Sequence, residues 1–105
     1  MPLELSTHRA GSAVTVAAGG VIDMATAGQF EDAIAAAVAD DDAASVTVDL
    51  GQVNLLDSSG IGALLRGRRQ ADERQRTFRV VGAVGLVAEV LRITGVWDHL
   101  VGDAS

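Results

Sequence analysis

Residues 45–50, SVTVDL, form the most strand-like stretch of the chain, and they lie between two segments whose apolar residues recur every three or four positions. The stretch is β-branched and nearly all apolar, as expected of a central strand covered by helices. On its N-terminal side Ala27, Phe30, Ile34 and Val38 predict an amphipathic helix ending near Ala39, with Thr26 placed to cap it and Gln29 three residues later. On its C-terminal side Ile61, Leu64, Leu65 and Ala71 predict a second helix, with Arg66, Arg69, Gln70 and Glu73 on its polar side. A strand joined to its neighbours through helices favours parallel pairing and right-handed crossovers.

The flanks extend this unit. Residues 3–8 read as an edge strand, and residues 13–19 alternate as a half-buried strand does, continuing toward a loop at Asp23. Gly11 and Ser12 between them signal a hairpin turn. Residues 77–82, TFRVVG, are a further strand, and residues 86–93 a third helix. That helix is expected to turn Leu86, Val87, Val90 and Leu91 inward and to set Glu89 beside Arg92. Thr94, Gly95 and Val96 resemble its stop, with Trp97 and Leu100 closing the core. The expected fold is α/β: one domain over residues 1–105, a mixed β-sheet with helices packed on it, in the order β-β-α-β-α-β-α.

Composition narrows the chemistry. With 49% apolar but only 3% aromatic residues, the core must be built from Val, Leu, Ile and Ala. The chain has no cysteine, so disulfides, thiolate metal sites and cysteine nucleophiles are out. Its net charge of −6 would repel a phosphate backbone, which argues against nucleic acid as a partner. Arg66, Arg68 and Arg69 sit among acids and glutamine and read as a solvated helix face. The acidic run Asp40, Asp41, Asp42 reads as a solvated connector rather than a metal site, because neighbouring side chains on an extended loop diverge. No stretch matches a membrane span or a signal peptide, so a cytoplasmic protein with no membrane association is expected.

The segment LLDSSGIG, residues 55–62, joins the central strand to the second helix. A serine nucleophile needs a base, and the only histidines are His8 and His99, both in terminal segments. The hydrolase elbow also wants glycine two residues before the serine, where Leu56 precedes Ser58. A P-loop is excluded because the chain has no lysine. Asp57, Ser58 or Ser59 would each serve as a helix cap. Two small serines beside glycines also leave the backbone open to approach. A phosphate on a serine here would be tolerated by the helix dipole and free N–H groups, yet would disturb a partner bound beside Asp57 and Asp23.

Four blocks in order resemble one family: GGVIDMATA with Asp23 and Thr26, then VTVDL, LLDSSGIGALL and VLRITGV. The chain is similar to STAS domains, specifically the small stand-alone anti-sigma factor antagonists of bacteria. Val21 stands where that family often has an acidic or polar residue, and Gly85 where a proline often opens the last helix. The resemblance implies phosphorylation of Ser58 by an anti-sigma factor that is also a serine kinase, and reversal by a serine phosphatase. It implies a non-enzymatic partner switch in transcription regulation, without a cofactor of its own. Asp23, Thr26, Asp57, Ser58, Ser59, Gly60, Ile61 and Gly62 would line the shared binding surface. The alternative is a phosphorylation-independent scaffold or accessory subunit, for example of a transport complex.

Overall fold

The seven expected elements form in the expected order. A computed structural model describes residues 2–93. They comprise β1 (Leu3–Ala10), β2 (Ala13–Ile22), α1 (Ala27–Ala39), β3 (Ser45–Leu56), α2 (Ser58–Glu73), β4 (Thr77–Val81) and α3 (Gly85–Ile93). The expected helix stop at residues 94–96, and Trp97, His99 and Leu100, lie outside the described residues.

The sheet order is β1-β2-β3-β4, with β1 antiparallel to β2 and the other two pairs parallel. β1 is the edge strand expected. Its hairpin closes at the Ala10–Ala13 pair around Gly11, whose φ of 63° is the conformation glycine supplies to a two-residue turn. Both parallel pairs are joined by a helix, α1 or α2, as the length of a parallel crossover requires.

Register places Val14, Val46 and Phe78 in one row and Val16, Val48 and Val80 in the next, all buried. These rows meet Phe30, Ile34 and Val38 of α1, Ile61 and Leu64 of α2, and Val87 and Leu91 of α3 in one core. The alternate residues qualify the expectation of a nearly all-apolar strand covered by helices. Ser45, Thr47 and Asp49 are half-buried on the opposite face, in register with Thr77, Arg79 and Val81, which are exposed. SVTVDL thus alternates, with only its Val46, Val48 and Leu50 face in the core.

Two further departures concern length and facing. β3 runs six residues past the expected end at Leu50, to Leu56. It holds its pairing with the shorter β2 through irregularities at Ala17/Gly19 and Gly20/Val21, where β3 contributes an extra residue. In α3, Leu86 points outward and is 55% exposed, because the inward stripe is Val87, Ala88 and Leu91. Leu86 lies about 100° around the helix from Val87.

Long-range polar contacts tie the ends of the elements together. The Arg76 guanidinium donates to the carbonyls of Val38 at 2.8 Å and Asp40 at 3.0 Å, satisfying the C-terminal end of α1 from the start of β4. Asp40 also pairs with Arg9 of β1, so the first member of the acidic run is used in the fold. Between α1 and α2, Gly67 permits close approach: a Cβ there would lie 2.5 Å from Ile34 Cγ2.

Candidate functional site

Parallel strands all end at one edge of the sheet, and the loops leaving them are where α/β folds place binding residues. Here β2 ends at Ile22 and β3 at Leu56, and the two ends are in register. The Asp57 N–H donates to the Ile22 carbonyl at 3.1 Å, fastening the start of α2 to the end of β2. Gly60 completes the junction, since a Cβ there would meet Leu56 Cδ1 at 2.4 Å and Ile22 Cγ2 at 2.7 Å. The fold therefore brings the loop carrying Asp23 and Thr26 beside the helix start carrying Asp57 to Gly62.

At the helix start, Asp57 is the cap. Its Oδ1 accepts from Ser59 N at 2.8 Å and Gly60 N at 3.3 Å, and its carbonyl accepts from Gly60 N and Ile61 N at 3.1 Å. The extended backbone of Asp57 suits an N-cap. The N–H groups of Ser59, Gly60 and Ile61 are thus engaged by Asp57 and are not free for a phosphate. Ser58 is the first residue of α2 and is exposed; Ser59 and Gly62 are half-buried, and Gly60 and Ile61 are buried. Of the segment 57–62, Ser58 is the residue most open to another molecule.

The neighbouring loop corrects a second expectation. Thr26 occupies the N-cap position of α1 but its side chain makes no cap bond. Its hydroxyl turns back, donating to the Val21 carbonyl at 2.9 Å and accepting from Asp23 N at 3.0 Å. Asp23 Oδ1 accepts from Ala25 N at 2.9 Å, and the Asp23 carbonyl accepts from Thr26 N and Ala27 N. Asp23 and Thr26 thus shape the loop between them.

Sequence reasoning missed the apolar surface at this end. Met24, between Asp23 and Thr26, is 84% exposed, and Leu55, next to the last residue of β3, is 41% exposed. Val84 and Leu86 are exposed as well, but they follow β4, which ends at Val81 in register with Asp49, seven residues short of Leu56. Exposed apolar side chains gathered at one end of a small domain mark an interaction surface. The signal was present in Met24, an apolar residue with no helical or strand period to absorb it.

A second feature is the ion pair between α1 and α2. Arg66 donates from Nε to Glu31 Oε2 at 2.9 Å and from Nη2 to Oε1 at 2.8 Å. The guanidinium's hydrogen bonds hold the Glu31 carboxyl below its usual range. A carboxyl with a pKa lower in the folded chain adds stability above its unfolded value, and loses it as the pH falls through the folded one. Thermal melts of Glu31→Gln and the parent should therefore differ slightly at neutral pH and converge below the ordinary glutamate range. A gap that persists in acid would assign the pair's contribution to packing.

His8, the described histidine, sits on β1 opposite Thr15, seven residues from the Ile22 end of β2. At roughly 3.3 Å per residue that is about 20 Å from the Ser58 end. His8 is no base for Ser58. Among the described residues no helix is long and apolar enough to cross a membrane.

Because Asp57 supplies the cap, Ser58→Ala should melt within about 0.5 kcal/mol of the parent, whereas Asp57→Ala should lose about 1–2 kcal/mol. Comparable losses in both would show that the Ser58 hydroxyl shares the capping.

The arrangement defines a small α/β domain, a parallel β-α-β-α-β unit edged by one antiparallel strand, with its exposed apolar and serine-bearing features at one end. A family model described as "Mlab, STAS domain" matches residues 5–102, and the chain belongs to the STAS domain family. Among solved structures it is similar to an anti-sigma factor antagonist from Mycobacterium paratuberculosis. The two are 26% identical over 94% of this chain and 83% of that one, with a TM-score of 0.86. The anti-sigma factor antagonist SpoIIAA in its unphosphorylated form is 17% identical over 88% of this chain and 81% of its own, with a TM-score of 0.76. Phosphorylated SpoIIAA of Bacillus, a cell fate determinant, is 16% identical over 88% and 84%, with a TM-score of 0.70. These last two share the fold. No curated protein sequence matches the chain.

Proposed function

We propose that this chain is an anti-sigma factor antagonist that works as a phosphorylation-controlled partner switch. The observation that carries the reading is the division at the start of α2: Asp57 caps the helix, while the adjacent Ser58 is exposed. A kinase reaches such a hydroxyl, and modifying it leaves the cap in place. The likeness to an anti-sigma factor antagonist supports an anti-sigma factor as the partner; in this proposal that partner carries the serine kinase activity, and a serine phosphatase restores the hydroxyl.

In the unphosphorylated state, Met24 and Leu55 give the partner apolar contacts and the Asp23 to Thr26 loop gives it a shaped polar edge. The bound kinase releases its sigma factor. A phosphoserine adds about −1.5 to −2 charges beside Asp57 and close to Asp23. Burying that cluster against the partner requires desolvating like charges, which breaks the complex. The chain is the substrate in this scheme, not a catalyst, and the ATP belongs to its partner.

The test is fragmentation mass spectrometry of the chain from its own cells, before and after the inducing signal. Phosphate on Ser58 that falls when the response is switched on is the expected result. Full coverage of residues 55–66 with no phosphate in either state would reject the switch in favour of the phosphorylation-independent accessory role.

A further inference from the structure

We infer that Arg66 is a built-in counter-charge for a phosphate on Ser58, and that phosphorylation draws its guanidinium away from Glu31. The inference rests on the reading of Ser58 as the phosphorylated residue and adds how the chain itself answers the modification.

Ser58, Gly62 and Arg66 occupy successive turns of one α2 face, four residues apart. Side chains on a helix lean toward its N-terminus, and Arg66 does so over Gly62. Its Nη1 lies 3.1 Å, and its Nη2 3.5 Å, from where a Cβ on Gly62 would stand. That point is only about 5–6 Å from the Cβ of Ser58, one turn further along. A phosphoryl group on the Ser58 hydroxyl meets the guanidinium by turning C-terminally toward this gap, against the usual lean of its side chain. Any side chain at position 62 would obstruct it, and glycine leaves it clear.

The helix start does not neutralise the phosphate by itself. Ser59 N, Gly60 N and Ile61 N already serve Asp57, so the added oxygens find few backbone donors there. Among the described residues, the charged groups that the fold sets toward this end are Asp57, the cap of α2, Asp23 in the β2–α1 loop, and Glu31 and Arg66, paired between α1 and α2. Three are acids, and Arg66 is the cation two turns along the Ser58 face of α2. Its present bond to Glu31 is two-pronged but open to solvent screening, the side chains of Arg66 and Glu31 being 48% and 31% exposed. A phosphate dianion outbids one carboxylate for a planar guanidinium. The exchange would also release the Glu31 link between α1 and α2, carrying the modification from the helix start to the neighbouring helix.

The experiment installs phosphoserine at position 58 during translation and follows its 31P resonance through a pH titration. The backgrounds are the parent, Arg66→Gln, Arg66→Lys and Glu31→Gln. The phosphate's second ionisation should fall about 0.3–0.7 pH units lower in the parent than in Arg66→Gln, the range of an exposed charge pair. Arg66→Lys should recover part of that difference, and Glu31→Gln, which removes the rival carboxylate, should lower the value further. Coincident titrations of the parent and Arg66→Gln would overturn the assignment, and a Glu31→Gln curve no lower than the parent's would overturn the exchange. Since the phosphate is installed by translation, the outcome is independent of whether cells modify Ser58.

Discussion

Ser58→Asp is expected to fold and melt like the parent while losing at least about 30-fold in affinity for the proposed anti-sigma factor partner. The first half follows from the cap: Asp57 keeps its bonds to Ser59 and Gly60, and an acid at the first position of α2 is favoured by the helix dipole. The second half follows from burial. A fixed charge beside Asp57, at an edge that otherwise offers Met24 and Leu55, must be desolvated without a partner, which costs about 2–5 kcal/mol at an interface. Calorimetric titration of that purified partner with the parent, Ser58→Ala and Ser58→Asp measures it. Ser58→Ala should bind like the parent. Equal binding by Ser58→Asp would show that charge at this position is not what the partner senses.

The largest effect on stability is expected from Gly60→Val. A Cβ at Gly60 would overlap Leu56 Cδ1 and Ile22 Cγ2, both on side chains within 2% of full burial, so neither has room to yield. Overpacking of this kind costs about 3 kcal/mol, and the melting temperature should drop by about 10–20 °C. Gly62 provides the comparison two residues away. A Cβ there meets only the flexible tip of Arg66, so Gly62→Ala should change stability by less than about 1 kcal/mol. A Gly60→Val protein that melts like the parent would mean that the α2 start is not seated on the ends of β2 and β3.

What could be read beforehand depended on whether a residue's pattern was local. The element order followed from period alone, because Phe30, Ile34 and Val38, and then Val46, Val48 and Leu50, repeat at spacings that only one kind of element satisfies. The reading of β3 as a nearly all-apolar strand covered by helices holds for one face only: Ser45, Thr47 and Asp49 alternate with its valines and are half-buried on the other. The length of β3 was hidden because Gly51, Gln52 and Asn54 are poor strand formers; Gln52 pairs with Gly19, while Gly51 and Asn54 fall at the irregularities of the pairing with β2. Thr26 had the spacing of a cap, yet Asp23 N and the Val21 carbonyl compete for its hydroxyl, and no periodicity shows that competition. At the site, Ser58 and its neighbours stood out as a motif. That Asp57 alone would cap, that Leu86 would face outward, and that Arg66 would cross to Glu31 all depend on contacts made after folding.

The loop from Asp23 to Thr26 has one further consequence. Its Asp23 N–H, Asp23 carboxylate, Asp23 carbonyl and Thr26 hydroxyl are committed to one another and to Val21, so the free chain already holds the loop's shape. A partner arriving there has little conformational entropy left to remove, and its affinity is drawn from contact rather than offset by ordering. Encounter is then limited by orientation, not by waiting for a rare conformer, and the backbone of this edge should superpose between free and bound chains.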